Sequence, residues 1–320
     1  MSWLARLQAD YQCEQGRSVV RHRHDGPLRL LKSLYPEGDA ICHSVLVHPP
    51  SGLVGGDTLD IGLSLGEGAH ALITTPGATR FYRSEQGAVA TQRVQAQLQP
   101  GARLEWLPLE AIAYPGCEAR NEASFSLAPG AELLAWDLTA LGLPGAGQPF
   151  AQGRFAQRLE LPGLWLEQGL LDAQDRLLMD GALGLAGQRA LGTLVFASGS
   201  AIARERRERA LEAVREVLEA HELRLWSGAT AAHEQVLVLR VLPAEADAAN
   251  MRRARLPRAL LAVAVGTSVT GLAAFAMAAR HTIPISSLLP DAAYLRGHGA
   301  NTVNVILVDI RAWDTLGEIS

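Results

Sequence analysis

The residues best suited to chemistry fall between His48 and Glu110. His48 and Asp57 flank one Gly-rich turn, Ser51-Gly52-Leu53-Val54-Gly55-Gly56-Asp57, so an imidazole and a carboxylate could meet across it. Such a pair can pin a loop, contribute to a metal site or act as the base of an all-β hydrolase. The hydrolase lacks a nucleophile: there is no G-x-S-x-G motif, and Ser84 has no identifiable base. Asp57, His48 and Glu110 are the candidate metal donors, and they do not form the closed His/Cys set of a structural site. A second turn, Thr74-Thr75-Pro76-Gly77-Ala78-Thr79, leads into Arg80-Phe81-Tyr82-Arg83-Ser84. Asp57, Arg80, Tyr82, Arg83 and Ser84 lie in or beside turns, where binding residues concentrate. They are the candidate functional and partner-contacting residues. For Asp57 the structural alternative is an Asx-type turn that caps its own loop. Phe81 and Trp106 read as core.

Other reactive side chains carry less. Arg21-His22-Arg23-His24 places two histidines on one face of a strand. Two ligands do not close a metal site, so the stretch reads as a solvated basic edge. Cys13, Cys42 and Cys117 are odd in number and lack C-x-x-C spacing, which points to a reducing compartment without a disulfide framework. No dense His/Cys tract is present, and this excludes metal storage.

Composition narrows the class. Of 320 residues, 48% are apolar and 19% charged, enough apolar material for a buried core. A formal net charge of −4 argues against nonspecific nucleic-acid binding. The N-terminal stretch Met1-Ser2-Trp3-Leu4-Ala5-Arg6 has no long apolar run, so a cytoplasmic protein is expected.

The elements that must position these residues are mostly strands. Thr58–Leu65 and Ala90–Leu98 alternate polar and apolar, the period of a half-buried strand. In Cys42–His48, the set His43, Val45 and Val47 is the more apolar, which predicts that it faces the core and that His48 points away. Leu104-Glu105-Trp106 predicts a solvent-facing Glu105. Three turn motifs recur about every 30 residues: Gly66-Glu67-Gly68-Ala69, Gln99-Pro100-Gly101-Ala102 and Ala128-Pro129-Gly130-Ala131. That period suggests stacked β units sharing one core. No helical periodicity is sustained between 28 and 196, and three further β runs are expected to follow Leu161. Antiparallel pairs with one wet face would explain the alternation. Ser200 reads as the N-cap of a helix to about Leu223, with Leu211, Val214, Val217, Leu218 and His221 on one stripe. The expected fold is mainly β: a stacked, β-helix-like body of antiparallel or mixed strands with a few α-helices. It spans 1–242, followed by a divergent region at 243–320.

Several blocks then resemble the UreD (UreH) family of urease accessory proteins. They are GPL at Gly26–Leu28, YPEG at Tyr35–Gly38, HPPSGLVGGD at His48–Asp57, TTPGATRFYRS at Thr74–Ser84 and LEWLP at Leu104–Pro108. Glu110 and Ile112 match the E-x-I that follows that proline. The resemblance covers roughly residues 20 to 242. Ser51 replaces a common Gly, Leu109 a common Gln, and Leu143 and Gln148 replace the usual Arg and Glu. The resemblance implies a non-enzymatic scaffold that binds apo-urease, UreF and the GTPase UreG. It implies no tightly bound cofactor, with nickel in transit along an internal polar route. Such a route suits scattered, exchangeable oxygen donors better than a His/Cys cage.

Beyond 243 the resemblance fades. Ala259–Ala279 carries no charge, is preceded by Arg252, Arg253, Arg255 and Arg258, and matches the roughly 20 residues that can span a bilayer. The run is rich in Ala, Gly and Thr. A poorly packed tail or a packed helix is therefore expected ahead of a membrane span.

Overall fold

The computed structural model describes residues 2–50 and 52–243. The chain divides into two units, Met1–Ala249 and Asn250–Ser320, and every described residue lies in the first. The readings of 243–320 as a divergent region and of 259–279 as tail, helix or span concern residues outside those described, apart from Pro243.

The β body winds in successive coils, each giving one strand to each of three faces. One coil contributes Ile41–Val47, Gly52–Leu53 and Thr58–Leu65. The next contributes His70–Thr74, Thr79–Phe81 and Ala90–Leu98. A third contributes Arg103–Leu107, Ala111–Ala113 and Cys117–Leu127. In the fourth, the single long strand Glu132–Leu143 serves two faces, and Gly153–Leu161 completes the turn. Equivalent strands of successive coils pair in parallel: Ile61 sits beside Val94, Val94 beside Ala123, and Ala123 beside Leu159.

The stacking predicted from the repeat is therefore present, and of the antiparallel or mixed pairing expected the sheets are mixed, with the pairs inside the stack parallel rather than antiparallel. A coil returns each strand to the same direction, so the stack is parallel. Antiparallel pairs close its ends. Arg17–Asp25 pairs with Leu4–Glu14, Trp165–Asp172 with Gly153–Leu161, and Ala190–Ser198 with Glu132–Leu143. Alternation along a strand reports which face is buried and says nothing about the partner's direction.

The repeated turns lie on one another. Gly68, Gly101 and Gly130 take φ of 67°, 69° and 78°, the left-handed region that glycine adopts without strain. The Gly68 amide donates to the Pro100 carbonyl at 3.2 Å. Inside, Leu59, Ile61, Leu63, Val94, Leu98, Phe125 and Phe155 form one continuous core with Phe81 and Trp106.

Several local expectations change. On Ile41–Val47 the buried side is Cys42, Ser44 and Leu46, not His43, Val45 and Val47. Ser44 is satisfied inside by the Tyr11 hydroxyl, which donates to it at 2.9 Å. His43 stands outside, 2.9 Å from the Glu37 carboxylate. His48, expected to point away, is half-buried with its ring on Trp3. Glu105 is on the outward side as predicted, but half-buried against His70 Nε2 at 2.9 Å. After Leu161 there are two strands before the long helix, not three, with a short helix Arg176–Asp180 between them. The long helix runs Arg204–Glu219 with Ala203 at its N-cap. Ser200 instead accepts from the Gly130 amide at 3.0 Å, tying this segment to the last stacked turn. Leu211, Val214 and Leu218 are half-buried, whereas Val217 is 67% exposed.

Gly101→Ala is expected to cost about 1–2 kcal/mol from left-handed strain alone. Its added methyl would meet nothing closer than 3.9 Å. Gly77→Ala, at a turn with open space and no positive φ, should be neutral. Urea unfolding midpoints of the two variants check both expectations.

Candidate functional site

The two glycine-bearing blocks fit together through their glycines. A Cβ at Gly52 would lie 2.3 Å from Tyr82 Cε2, and one at Gly55 would lie 2.4 Å from Ser84 Oγ. The turn is thus bare where the next coil's side chains cross it. Tyr82 stacks edge-on against Tyr114 at 4.8 Å between centroids. With Arg83, Pro115, Gln148 and Pro149 these tyrosines line an open groove of about 510 Å³. Ser84 donates to the Ala88 carbonyl at 2.8 Å. It is a turn residue, not a nucleophile beside a base.

Asp57 is buried and holds the coil entrance. Its Oδ1 accepts from the Trp3 amide at 3.2 Å and its Oδ2 from the Val54 amide at 3.0 Å. His48 lies near enough to feel this charge, and its ring packs on Trp3 at 4.9 Å. Burial holds the His48 pKa below 6.5, and Asp57 only partly opposes the shift. The His48 Nε2 is buried without a hydrogen-bond partner. Both Asp57 oxygens serve backbone amides, so the pair does not have the geometry of an oriented catalytic base. Glu110 lies in the turn before Ala111, half-buried. Among the described residues no three His, Cys, Asp or Glu side chains converge as a metal site. His22 and His24 sit stacked and exposed on the edge strand, with Arg29 at 3.0 Å from His24 Nδ1.

A second set of groups is not apparent from the sequence. Gln92, Asn121 and Gln157 occupy one register position on three successive parallel strands. Asn121 and Gln157 reach Asp137 on the facing sheet, and Gln92 reaches Asn121. Gln92 Nε2 donates to Asn121 Oδ1 at 3.0 Å, and Asn121 Nδ2 to Asp137 Oδ1 at 3.5 Å. Gln157 Nε2 donates to Asp137 Oδ2 at 3.2 Å and to Thr139 Oγ1 at 2.8 Å. Asp137, Gln92 and Asn121 line a cavity of about 30 Å³, room for one water. Burial raises the Asp137 pKa to about 6, the Glu167 charge adds to the rise, and the bonds from Gln157 and Thr139 oppose it. Glu167 itself accepts from Thr193 Oγ1 at 2.7 Å and pairs with Arg240.

Two larger openings lie near this polar seam. Thr79 and Gln92 also line a cavity of about 220 Å³ that includes His48 and Arg80. Glu167 and Thr193 line an open groove of about 700 Å³ at the opposite end. The available signal is an interruption of the inward pattern: polar Gln92, Asn121 and Gln157 stand at positions where their strands otherwise turn Val94, Ala119 or Phe155 inward.

Comparison with known proteins then decides the family. The model described as UreD urease accessory protein matches residues 4–273. The chain belongs to the UreD family of urease accessory proteins. A "Urease accessory protein UreD" of Paracidovorax citrulli is 64% identical over 242 residues, covering 76% of this chain and 87% of that protein. Proteins so described from Albidiferax ferrireducens and Variovorax paradoxus are 61% and 57% identical, covering 78% and 76% of this chain and 90% and 87% of their own lengths. A second family model, MbhE, matches residues 251–320. Among the described residues no helix is long and apolar enough to cross a membrane.

Asp137→Asn is expected to stabilise this UreD-family chain near neutral pH. A carboxyl whose folded pKa is raised from 3.8 to about 6 makes the native state lose stability as pH rises through that window. Two pKa units correspond to at most about 3 kcal/mol, and losing one of the two accepted bonds returns about 1 kcal/mol. The gain over wild type should shrink toward pH 4, read by urea unfolding across pH 4–8.

Proposed function

We propose that this chain is a non-enzymatic scaffold of urease maturation that binds apo-urease with UreF and UreG and lets nickel pass along the seam between its sheets. The observation that carries this reading is Asp137 with its amide partners. The carbonyl oxygens of Gln92 and Gln157 are not used by the bonds that run toward Asp137. A carboxylate with a pKa near 6 is mostly ionised at neutral pH, and isolated oxygen donors hold a divalent cation weakly enough to release it. Nickel here is cargo and needs no resident closed site.

The partner-facing surface of this reading is the groove around Tyr82, Arg83 and Tyr114. Tyr and Arg are enriched where binding energy concentrates. Asp57 takes a supporting role: its two amide bonds fix the Gly-rich turn beneath Tyr82. The hydrolase reading gains nothing from the arrangement at His48 and Asp57.

The test is co-expression with the urease genes and measurement of urease activity and urease-bound nickel. Asp137→Leu and Asp137→Asn should each lower both readouts at least several-fold while the accessory protein accumulates normally. Full activation by Asp137→Leu would remove the seam from the mechanism. Loss of apo-urease capture in Asp57→Ala, with the β body folded, would support the view that the turn it holds shapes the docking surface.

A further inference from the structure

Arg80 is an arginine without a carboxylate. Several arginines of the β body are matched to a carboxylate on a neighbouring strand: Arg6 with Asp60, Arg93 with Glu122, Arg103 with Glu132 and Arg154 with Glu118. Among the described residues Arg80 has no such partner. It is half-buried and lines the cavity of about 220 Å³, of whose lining residues it is the only charged one. The rest of that lining is apolar or neutral, including His48, Thr79 and Gln92. The Asp57 carboxylate does not join the lining and is taken up by the Trp3 and Val54 amides.

An arginine that is the only charged residue lining a small, partly apolar cavity is an incomplete arrangement. Its fork matches a carboxylate in two parallel bonds, and the partly dry walls strengthen that pairing. His48 adds a second recognition element: its Nε2 is buried and unpartnered, and burial keeps the ring neutral. A neutral imidazole can donate one N–H to an anion without bringing in further charge. Thr79 is a further hydroxyl-bearing residue of the lining.

We propose that this cavity is a carboxylate-binding site, in which Arg80 takes the anion through its guanidinium while His48 and Thr79 complete its hydrogen bonds. The carboxylate is either that of a free small acid or an Asp or Glu side chain inserted by a docking protein. A positive residue at this end disfavours entry of a bare divalent cation. The acidic end of the seam, at Asp137 and Glu167, has the opposite character.

The experiment uses the full-length chain, selectively ¹⁵N-labelled at histidine, titrated with sodium acetate against sodium chloride at matched ionic strength. If the anion is free, the His48 ring resonance should shift saturably with acetate. Arg80→Gln should weaken that response at least tenfold, and Arg176→Gln on the exposed short helix should leave it unchanged. Arg80→Lys, which keeps the charge and loses the fork, should retain part of it and guards against a variant that fails to fold. In the second arm, apo-urease capture is measured with the same variants. Loss of capture in Arg80→Gln, without an acetate response in wild type, assigns the carboxylate to the partner. The acetate arm stands without the maturation reading, and the capture arm rests on it. If neither acetate binding nor capture depends on Arg80, the proposal is overturned.

Discussion

Parallel stacking is the constraint on which the rest depends. Each inward side chain lies directly on its counterpart one coil away, so no coil can choose its interior alone. Leu65 is matched to Leu98, and Leu98 to Leu127. A polar group placed in such a column strands its bonding capacity unless the next coil answers it. The column of Gln92, Asn121 and Gln157 obeys this rule: Gln92 donates to Asn121, and Asp137 from the facing sheet accepts from Asn121 and Gln157. A seam of this kind is all-or-none: one amide changed to an apolar residue would leave its neighbours unsatisfied.

The same stacking explains the glycines. The turn at Gly52–Asp57 and the strand at Thr79–Phe81 belong to successive coils and lie against each other. Gly52 is bare because Tyr82 crosses it, and Gly55 because Ser84 does. The two motifs are therefore one structural unit, although more than twenty residues separate them in the chain. Asp57 pins that unit to Trp3 near the start of the chain, so first strand, turn and aromatic groove are mechanically one piece.

Much of this is readable from the sequence, and the rest is not, for definable reasons. The strands, the stacked glycine turns and the burial of Phe81 and Trp106 follow from local pattern. Pairing direction does not, because alternation is the same in parallel and antiparallel sheets. The sidedness of Ile41–Val47 eludes hydropathy, which favours Val45 and Val47 over Ser44, whereas the buried Tyr11 hydroxyl needs the acceptor that Ser44 supplies. The position of Asp57 at a working turn is visible; its two amide bonds, one of them to Trp3, are not. The seam is hidden because each member looks like an ordinary polar strand residue until register aligns them. Arg80 can be named a candidate, but that it lacks a partner emerges only when every neighbouring charge has been placed.

Asp137 runs against the economy of the fold. A buried carboxylate with a pKa near 6 makes the native state less stable at neutral pH than a neutral amide of the same shape would. Burial, the largest cause of that shift, is what would be relieved by asparagine. Glu167 aggravates the cost by lying close enough to raise the pKa further, although Arg240 could have been placed to serve Asp137 instead. The arginine sits on the outer acid and leaves the inner one uncompensated. A site held for stability would be neutralised from within. Under the proposed transit of nickel, one left negative in a small cavity, beside the amide oxygens of Gln92 and Gln157, would receive a cation for part of the time and be empty for the rest.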